Sequence, residues 1–260
     1  ALEAELEAAF MNTHFELHYQ PKVNLLTREI YGAEALIRWQ HPHRGYIAPD
    51  IMVPIIERSH LLQEITLWIL NTALNQSRLM RARVPDFMIA VNISPQLLGS
   101  PELVALVTRA LRIWDMDPQH LILEITETSI MVNEDVTQQN LRQLSDTGVL
   151  LSIDDFGTGY SSYSYLQQFP VQEMKIDRSF IADLPGDTKN QHLVRSMIQL
   201  GRDFNMNVLA EGIETVKIQQ QLIDMGCEYG QGFLISRPLP ADQMIEWMDK
   251  TDWNRSNGKK

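Results

Sequence analysis

The sequence predicts an α/β fold, a single (βα)8-type barrel, on three observations. Short β-prone runs alternate with longer helical patterns from end to end, the element order of a parallel sheet wrapped in helices. Eight such runs are present, the number that closes a barrel, and 260 residues is an ordinary size for one. No shift in composition marks a second domain. Residues 1–250 are therefore expected to form one unit, with a leading helix over 1–12 and a polar tail at 251–260.

Taken in order, residues 1–10 are good helix formers with an apolar stripe at Leu2, Leu6 and Phe10. Residues 15–25 alternate as a strand, and Pro21 inside it argues for an edge or irregular strand. Residues 30–39 form the second strand. Tyr31, Ala33, Ala35, Ile37 and Trp39 give it an apolar outer face, and Gly32, Glu34, Leu36 and Arg38 share the other. Turn residues fill 40–50, and helical patterns follow over 51–60 and 62–82. Further strands are expected at 87–94, 121–128, 149–155, 173–177, 208–214 and 229–236. Helices separate them at 101–114, 134–147, 187–206 and 215–226, and a last one covers 241–250.

The charge balance, 33 acidic against 22 basic residues for a net −11, disfavours long nucleic acid, whose binding relies on Lys and Arg meeting phosphates. A small phosphorylated ligand remains compatible, because bound divalent cations invert the local field. The single cysteine, Cys227, cannot form an internal disulfide and favours a reducing compartment. Neither a signal peptide nor an uninterrupted apolar run of membrane-spanning length is present, so this segment is expected in the cytoplasm without membrane contact. A start at Ala1 rather than Met suggests a domain cut from a longer protein, and a membrane anchor elsewhere in that protein is compatible with this reading.

Each strand contributes one conspicuous polar side chain towards its C-terminal end: Gln20, Glu34, Asn92, Glu124, Asp154, Lys175, Glu211 and Gln231. From Glu34 onward the spacings are those of successive βα units, the longest having room for two helices. In a closed barrel these strand ends converge on the face where such folds place their chemistry. Glu34, Asn92, Glu124, Asp154 and Glu211 offer the oxygen ligands that Mg²⁺ or Mn²⁺ prefers. Asp155 and Glu127 lie beside members of the set. With Lys175 as the only cation, so many acids call for metal, and Asp154 next to Asp155 can bridge two ions for in-line attack on phosphate.

Taken singly, each of these residues has an ordinary explanation. A lone acid at a strand end usually caps or is solvated, and the Glu124/Glu127 pattern is common by chance. Gly157-Thr158-Gly159 lacks the rest of a phosphate-loop fingerprint. His41 and His43 flank Pro42 and read as loop residues rather than a zinc pair, and Cys227 reads as a small packed side chain. The coincidence at matching strand ends is what lifts the set above its members.

The sequence also resembles the EAL-domain family of cyclic di-GMP phosphodiesterases. AEALIRW around Glu34, NIS at 92–94, EITE at 124–127, DDFGTGYSS at 154–162, KIDRSF at 175–180, AEGIE at 210–214 and QGFLISRPLP at 231–240 follow in the family's order. The resemblance implies a TIM-like barrel with an irregular first strand, antiparallel to its neighbours. It implies that Glu34, Asn92, Glu124 and Asp154 hold one Mg²⁺ or Mn²⁺, and that Asp154, Asp155 and Glu211 hold a second. Lys175 would orient the attacking water, supported by Gln231, while Gln20 and Arg38 contact the dinucleotide and Asp177 assists. Glu127 would anchor the loop after Gly157, which in this family links the site to homodimer contacts. A sensory or diguanylate-cyclase-like domain is expected in the full-length protein. Tyr163, where leucine is usual, and residues 51–62 depart from the family pattern. The implied reaction is hydrolysis of cyclic di-GMP to linear pGpG. Alternatives are a catalytically quiet cyclic di-GMP receptor and a different divalent-metal barrel enzyme with Lys175 as base.

Overall fold

A computed structural model of the chain describes residues 2–131, 134–159 and 170–254. Residues 160–163, the end of the DDFGTGYSS stretch and the departure at Tyr163, lie outside the described residues, as does 255–260 of the expected tail.

The strands are β1 (Phe15–Asn24), β2 (Ile30–His41), β3 (Gly45–Ile47), β4 (Met88–Asn92), β5 (Leu121–Thr126), β6 (Leu150–Phe156), β7 (Glu173–Ile176), β8 (Asn207–Ala210), β9 (Tyr229–Gly230) and β10 (Leu239–Pro240). Their order is β10-β1-β9-β8-β7-β6-β5-β4-β2-β3, and a further pairing of β1 with β2 closes eight of them into a barrel. From β2 round to β9 every neighbour in the barrel is parallel. β1 is antiparallel to both β2 and β9, as expected, because only a short turn separates it from β2. A (βα)8, TIM-like barrel with a reversed first strand is the result.

The sequence reading differs from the structure at several edges. β3 lies within the segment read as turn residues and forms a hairpin with the end of β2. β10 pairs with His18 and Tyr19 of β1. β8 and β9 stop short of their expected ends, yet Glu211 N–H donates to Ile176 O (3.1 Å) and Gln231 N–H to Ala210 O (3.0 Å). Those bonds extend the ladder by one residue, so both side chains still emerge at the barrel mouth. Residues 251–254 do not belong to the tail. Asp252–Asn254 form a 3-10 turn that buries Trp253, with the Arg28 guanidinium 5.1 Å from its ring centre.

Helices surround the barrel, among them Leu62–Arg81, Leu103–Ile113, Glu134–Asp146, Thr188–Asp203 and Val216–Asp224. Each turns an apolar stripe onto the outward-facing side chains of the strands: Leu70, Val107, Leu141 and Val194 join Val91, Leu123 and Ile153 in one continuous core. The starts of these helices follow from their caps. Asp187 accepts from the N–H groups of Lys189 and Asn190, and Thr215 from that of Ile218. A smaller core (Leu6, Phe15, Trp39, Ile47, Met52) seats the leading helix Leu2–Met11 against β2 and β3. There His41 is buried, pairs with Glu5 through Nε2, and accepts at Nδ1 from the N–H groups of His43 and Arg44. His41 is thus the last residue of β2, paired with Gly45, rather than the loop residue expected, and both of its ring nitrogens are in use. Among the described residues no helix is long and apolar enough to cross a membrane.

Candidate active site

Two consecutive residues of a regular strand point to opposite faces, so Asp154 and Asp155 could not both face the barrel mouth without a break. The break is present. The β6–β7 register shifts between Ile153 and Phe156, and Asp155 takes a left-handed conformation with φ 53°. This bulge turns the second carboxylate towards the first, an unusual backbone for a residue other than glycine and one that recurs at functional sites. The Asp155 N–H donates to Asp154 Oδ1 (3.0 Å) and fixes the turn.

Lys175, fully buried on β7, stands at the centre. Its Nζ lies 2.8 Å from Glu211 Oε1, 3.0 Å from Glu124 Oε2, 3.0 Å from Asp154 Oδ1 and 3.4 Å from Glu34 Oε2. Two amides orient the acids from the rim. Asn92 Nδ2 donates to Glu34 Oε1 (2.7 Å), and Gln231 Nε2 donates to Glu34 Oε2 (2.8 Å) and Glu211 Oε1 (3.0 Å). The six expected metal ligands are thus brought to one place from five strand ends, with Lys175 and Gln231 reaching in from two more.

The charges in this cluster are in conflict. Burial works to raise Glu34, but Lys175 and the amide donors outweigh it and hold this acid at about 2. Glu124 is lifted to about 8 by burial and then by Glu34, and Glu211 to about 7 by burial and by Asp154. Asp155 is also raised, by burial and by Asp154. Burial disfavours the Lys175 ammonium, yet Asp154, Glu124, Glu211 and Glu34 keep its pKa well above the usual value. Five acids exceed what one ammonium can neutralise.

Lys175 is not the only cation, which corrects the sequence reading. Lys22 on β1 is equally buried, with Nζ 3.0 Å from Glu124 Oε1 and 2.5 Å from Glu173 Oε1. Glu173 also accepts from Ser152 Oγ and from the Tyr31 hydroxyl, each at 3.0 Å. Tyr31, placed on the outer face by simple alternation, is the extra residue of a β-bulge: Val23 pairs with Ile30 and Lys22 with Gly32. The sequence carried a signal for this lower layer. Lys22 lies two residues from Gln20 and Glu173 two from Lys175, so each shares the inward parity of a residue already singled out.

A groove of about 540 Å³ opens above the cluster, lined by Arg38, Pro49, Val53, Asn92, Asp154 and Asp155 among others. Arg38 is half-buried, with its guanidinium 6.0 Å from the centre of the Tyr46 ring and its Nη1 donating to Ile37 O (3.0 Å). Gln20 pairs in register with Glu34 but donates to Ser236 O (3.3 Å) rather than joining the cluster. Asp177 caps the helical turn Arg178–Ile181 by accepting from Ser179 N–H. Glu127 lies behind the bulge, where its Oε2 accepts from Gly157 N–H (3.1 Å). A Cβ on Gly159 would come within 3.2 Å of the same carboxyl group, a close approach suited to glycine.

The donor set fits divalent metal. Oxygens of Glu34, Glu124 and Asp154 lie within 4.8 Å of one another, as do those of Asp154, Asp155 and Glu211, and Asp154 belongs to both groups. All donors are oxygens, which suits hard cations, and the raised Glu124 and Glu211 show that the cluster lacks positive charge.

Comparison with known proteins agrees. The EAL domain family matches residues 3–238. The bifunctional diguanylate cyclase/cyclic di-GMP phosphodiesterase MucR of Pseudomonas aeruginosa is 43% identical over 242 residues, 93% of this chain and 35% of MucR. The cyclic di-GMP phosphodiesterase NbdA of the same species is 38% identical over 248 residues, 95% of this chain and 32% of NbdA. The solved PaMucR phosphodiesterase in complex with c-di-GMP superposes with a TM-score of 0.89 at 42% identity, over 93% of this chain and 98% of that one. The chain spans about a third of the length of the curated relatives it matches. With its motifs, its reversed first strand and its ring of strand-end acids accounted for, the chain belongs to the EAL domain family.

Proposed function

We propose that this chain hydrolyses one phosphodiester bond of cyclic di-GMP, giving linear pGpG. The observation that carries this reading is the pair of carboxylate groups sharing Asp154, wrapped around Lys175 at the floor of a groove. Two relatives, 43% and 38% identical, are cyclic di-GMP phosphodiesterases by name, and a solved structure of similar fold holds that nucleotide.

Glu34, Asn92, Glu124 and Asp154 would hold one Mg²⁺ or Mn²⁺, and Asp154, Asp155 and Glu211 a second. Two such ions supply an acidified water and neutralise phosphate oxygens during in-line displacement. The chain's own groups do the rest. Lys175 directs its ammonium at the attacking water and the phosphate, Gln231 keeps Glu34 and Glu211 oriented, and Arg38 and Gln20 meet phosphate or guanine edges at the rim. Glu127 secures the start of the loop after Gly157, which would link the site to a homodimer partner. A sensory or cyclase-like domain would accompany this one in the longer protein.

A proton-abstracting enzyme with Lys175 as base finds less support, since an ammonium held well above its usual pKa does not accept protons near neutrality. The intact ligand set likewise speaks against a receptor that has lost catalysis.

The direct test is incubation with cyclic di-GMP and Mg²⁺ or Mn²⁺, with pGpG followed by chromatography. No product with either ion at high protein concentration overturns the proposal. Glu34→Ala is expected to lower turnover by roughly a hundredfold or more, because it removes a ligand whose ion supplies several kcal/mol in the transition state. A fully active Glu34→Ala variant would show that the site has been assigned wrongly.

A further inference from the structure

The layer beneath the proposed metal site has a consequence for which ion the site accepts. Glu124 is divided between two lysines: Oε2 faces Lys175 and the ligand cluster, while Oε1 faces down to Lys22 at 3.0 Å. Lys22 cannot swing away. It is fully buried, and Glu173 holds it from below at 2.5 Å. Glu173 is fixed in turn by the Tyr31 hydroxyl on one oxygen and by Ser152 Oγ beside Lys22 on the other. The bulge in β2 that turns Tyr31 inward completes this floor.

From this arrangement we propose that Lys22 is a positioning residue that restricts Glu124 to a single metal-facing oxygen and so biases the site towards small octahedral ions. The inference rests on the metal-dependent reading given above. Mg²⁺ and Mn²⁺ take one oxygen from each carboxylate in a compact six-fold shell. Ca²⁺ is larger, takes six to eight oxygens, and gains from two-oxygen carboxylate contacts. With Oε1 committed to Lys22, Glu124 has no second oxygen to offer. Selectivity between such ions is a matter of ligand number and rigidity, and the floor sets both at this position.

The test compares Mn²⁺ and Ca²⁺ binding by calorimetry in the wild type, in Lys22→Met, and in a double variant Lys22→Met, Glu173→Gln. The double variant also removes the Glu173 carboxylate that would face the missing cation and keeps an acceptor for Tyr31 and Ser152, so it guards against misfolding of the single one while Glu124 Oε1 is left free. Both variants are expected to shift the Mn²⁺-to-Ca²⁺ affinity ratio towards Ca²⁺ by roughly tenfold or more, the scale on which partners of metal ligands act. A loss of structural integrity alone would weaken both ions together and leave the ratio unchanged. An unchanged ratio in a folded variant, or a Mn²⁺-soaked wild-type crystal with Glu124 Oε1 on the ion, overturns the inference while leaving the phosphodiesterase reading intact. A wild type that binds neither ion overturns both.

Discussion

Lys175→Met is expected to abolish cleavage of cyclic di-GMP while leaving divalent ions able to bind. The side chain is fully buried and touches four carboxylates on four different segments, so no neighbour can take its place. Removing one donor that meets developing charge lowers turnover by roughly two to three orders of magnitude. Stability should respond separately. Without ions, the variant leaves the buried acids with Lys22 as the remaining lysine beside them among the described residues, and that lysine pairs with Glu124 but not with the other three. Breaking a buried pair from one side costs about 3–5 kcal/mol. Adding Mn²⁺ should restore most of that stability and none of the activity. Thermal unfolding with and without Mn²⁺, alongside kcat for pGpG formation, checks both halves. Wild-type turnover in Lys175→Met would remove the lysine from the mechanism.

Metal-free protein is expected to lose stability as the pH rises from about 5 to 8, the reverse of the usual acid-denaturation trend. The sign follows from Glu124 at about 8 and Glu211 at about 7 in the folded chain, against the ordinary carboxylate value near 4.5 when unfolded. Between those limits the unfolded chain has released protons that the folded chain still binds, so raising the pH favours unfolding. Glu34 acts oppositely. Its value of about 2 contributes stability above pH 4.5, and that contribution is lost on acidification towards pH 2. The combined loss between pH 5 and 8 is expected to be a few kcal/mol. Millimolar Mn²⁺ at pH 8 should offset it, since a ligand at a hundred times its Kd adds about 2.7 kcal/mol. Urea unfolding at pH 5, 6.5 and 8, with EDTA or with Mn²⁺, reads the effect. Stability that climbs steadily to pH 8 in EDTA and ignores Mn²⁺ would contradict these charges.

Much of the site was legible because strand alternation is a strong constraint. Once Glu34, Glu124, Asp154 and Lys175 are placed on parallel strands, closure of the barrel leaves them nowhere to go but one mouth. The readings that failed did so where regular geometry breaks. Tyr31 was assigned outward by parity, and a bulge reverses it. Residues 45–47 fall within a stretch, 40–50, that reads as turn, but pairing with the end of β2 gives them strand structure. Lys22 and Glu173 fall outside a pattern of one polar residue per strand end. A second inward layer lies one step deeper, at the positions two residues away. Trp253, amid polar neighbours, is buried by joining the main core, with Arg28 beside its ring, and no local pattern announces either contact.

The left-handed backbone at Asp155 has a consequence for how such a chain can change over generations. Glycine occupies that conformation freely, whereas aspartate, though better tolerated there than most side chains, still carries a penalty of up to about 1 kcal/mol. Aspartate is worth keeping only while its carboxylate is in use. Selection for heat resistance alone would erode this position early. A descendant that kept the barrel but abandoned turnover could gain stability by one substitution at the strand end. At residue 155 robustness and activity therefore pull against each other.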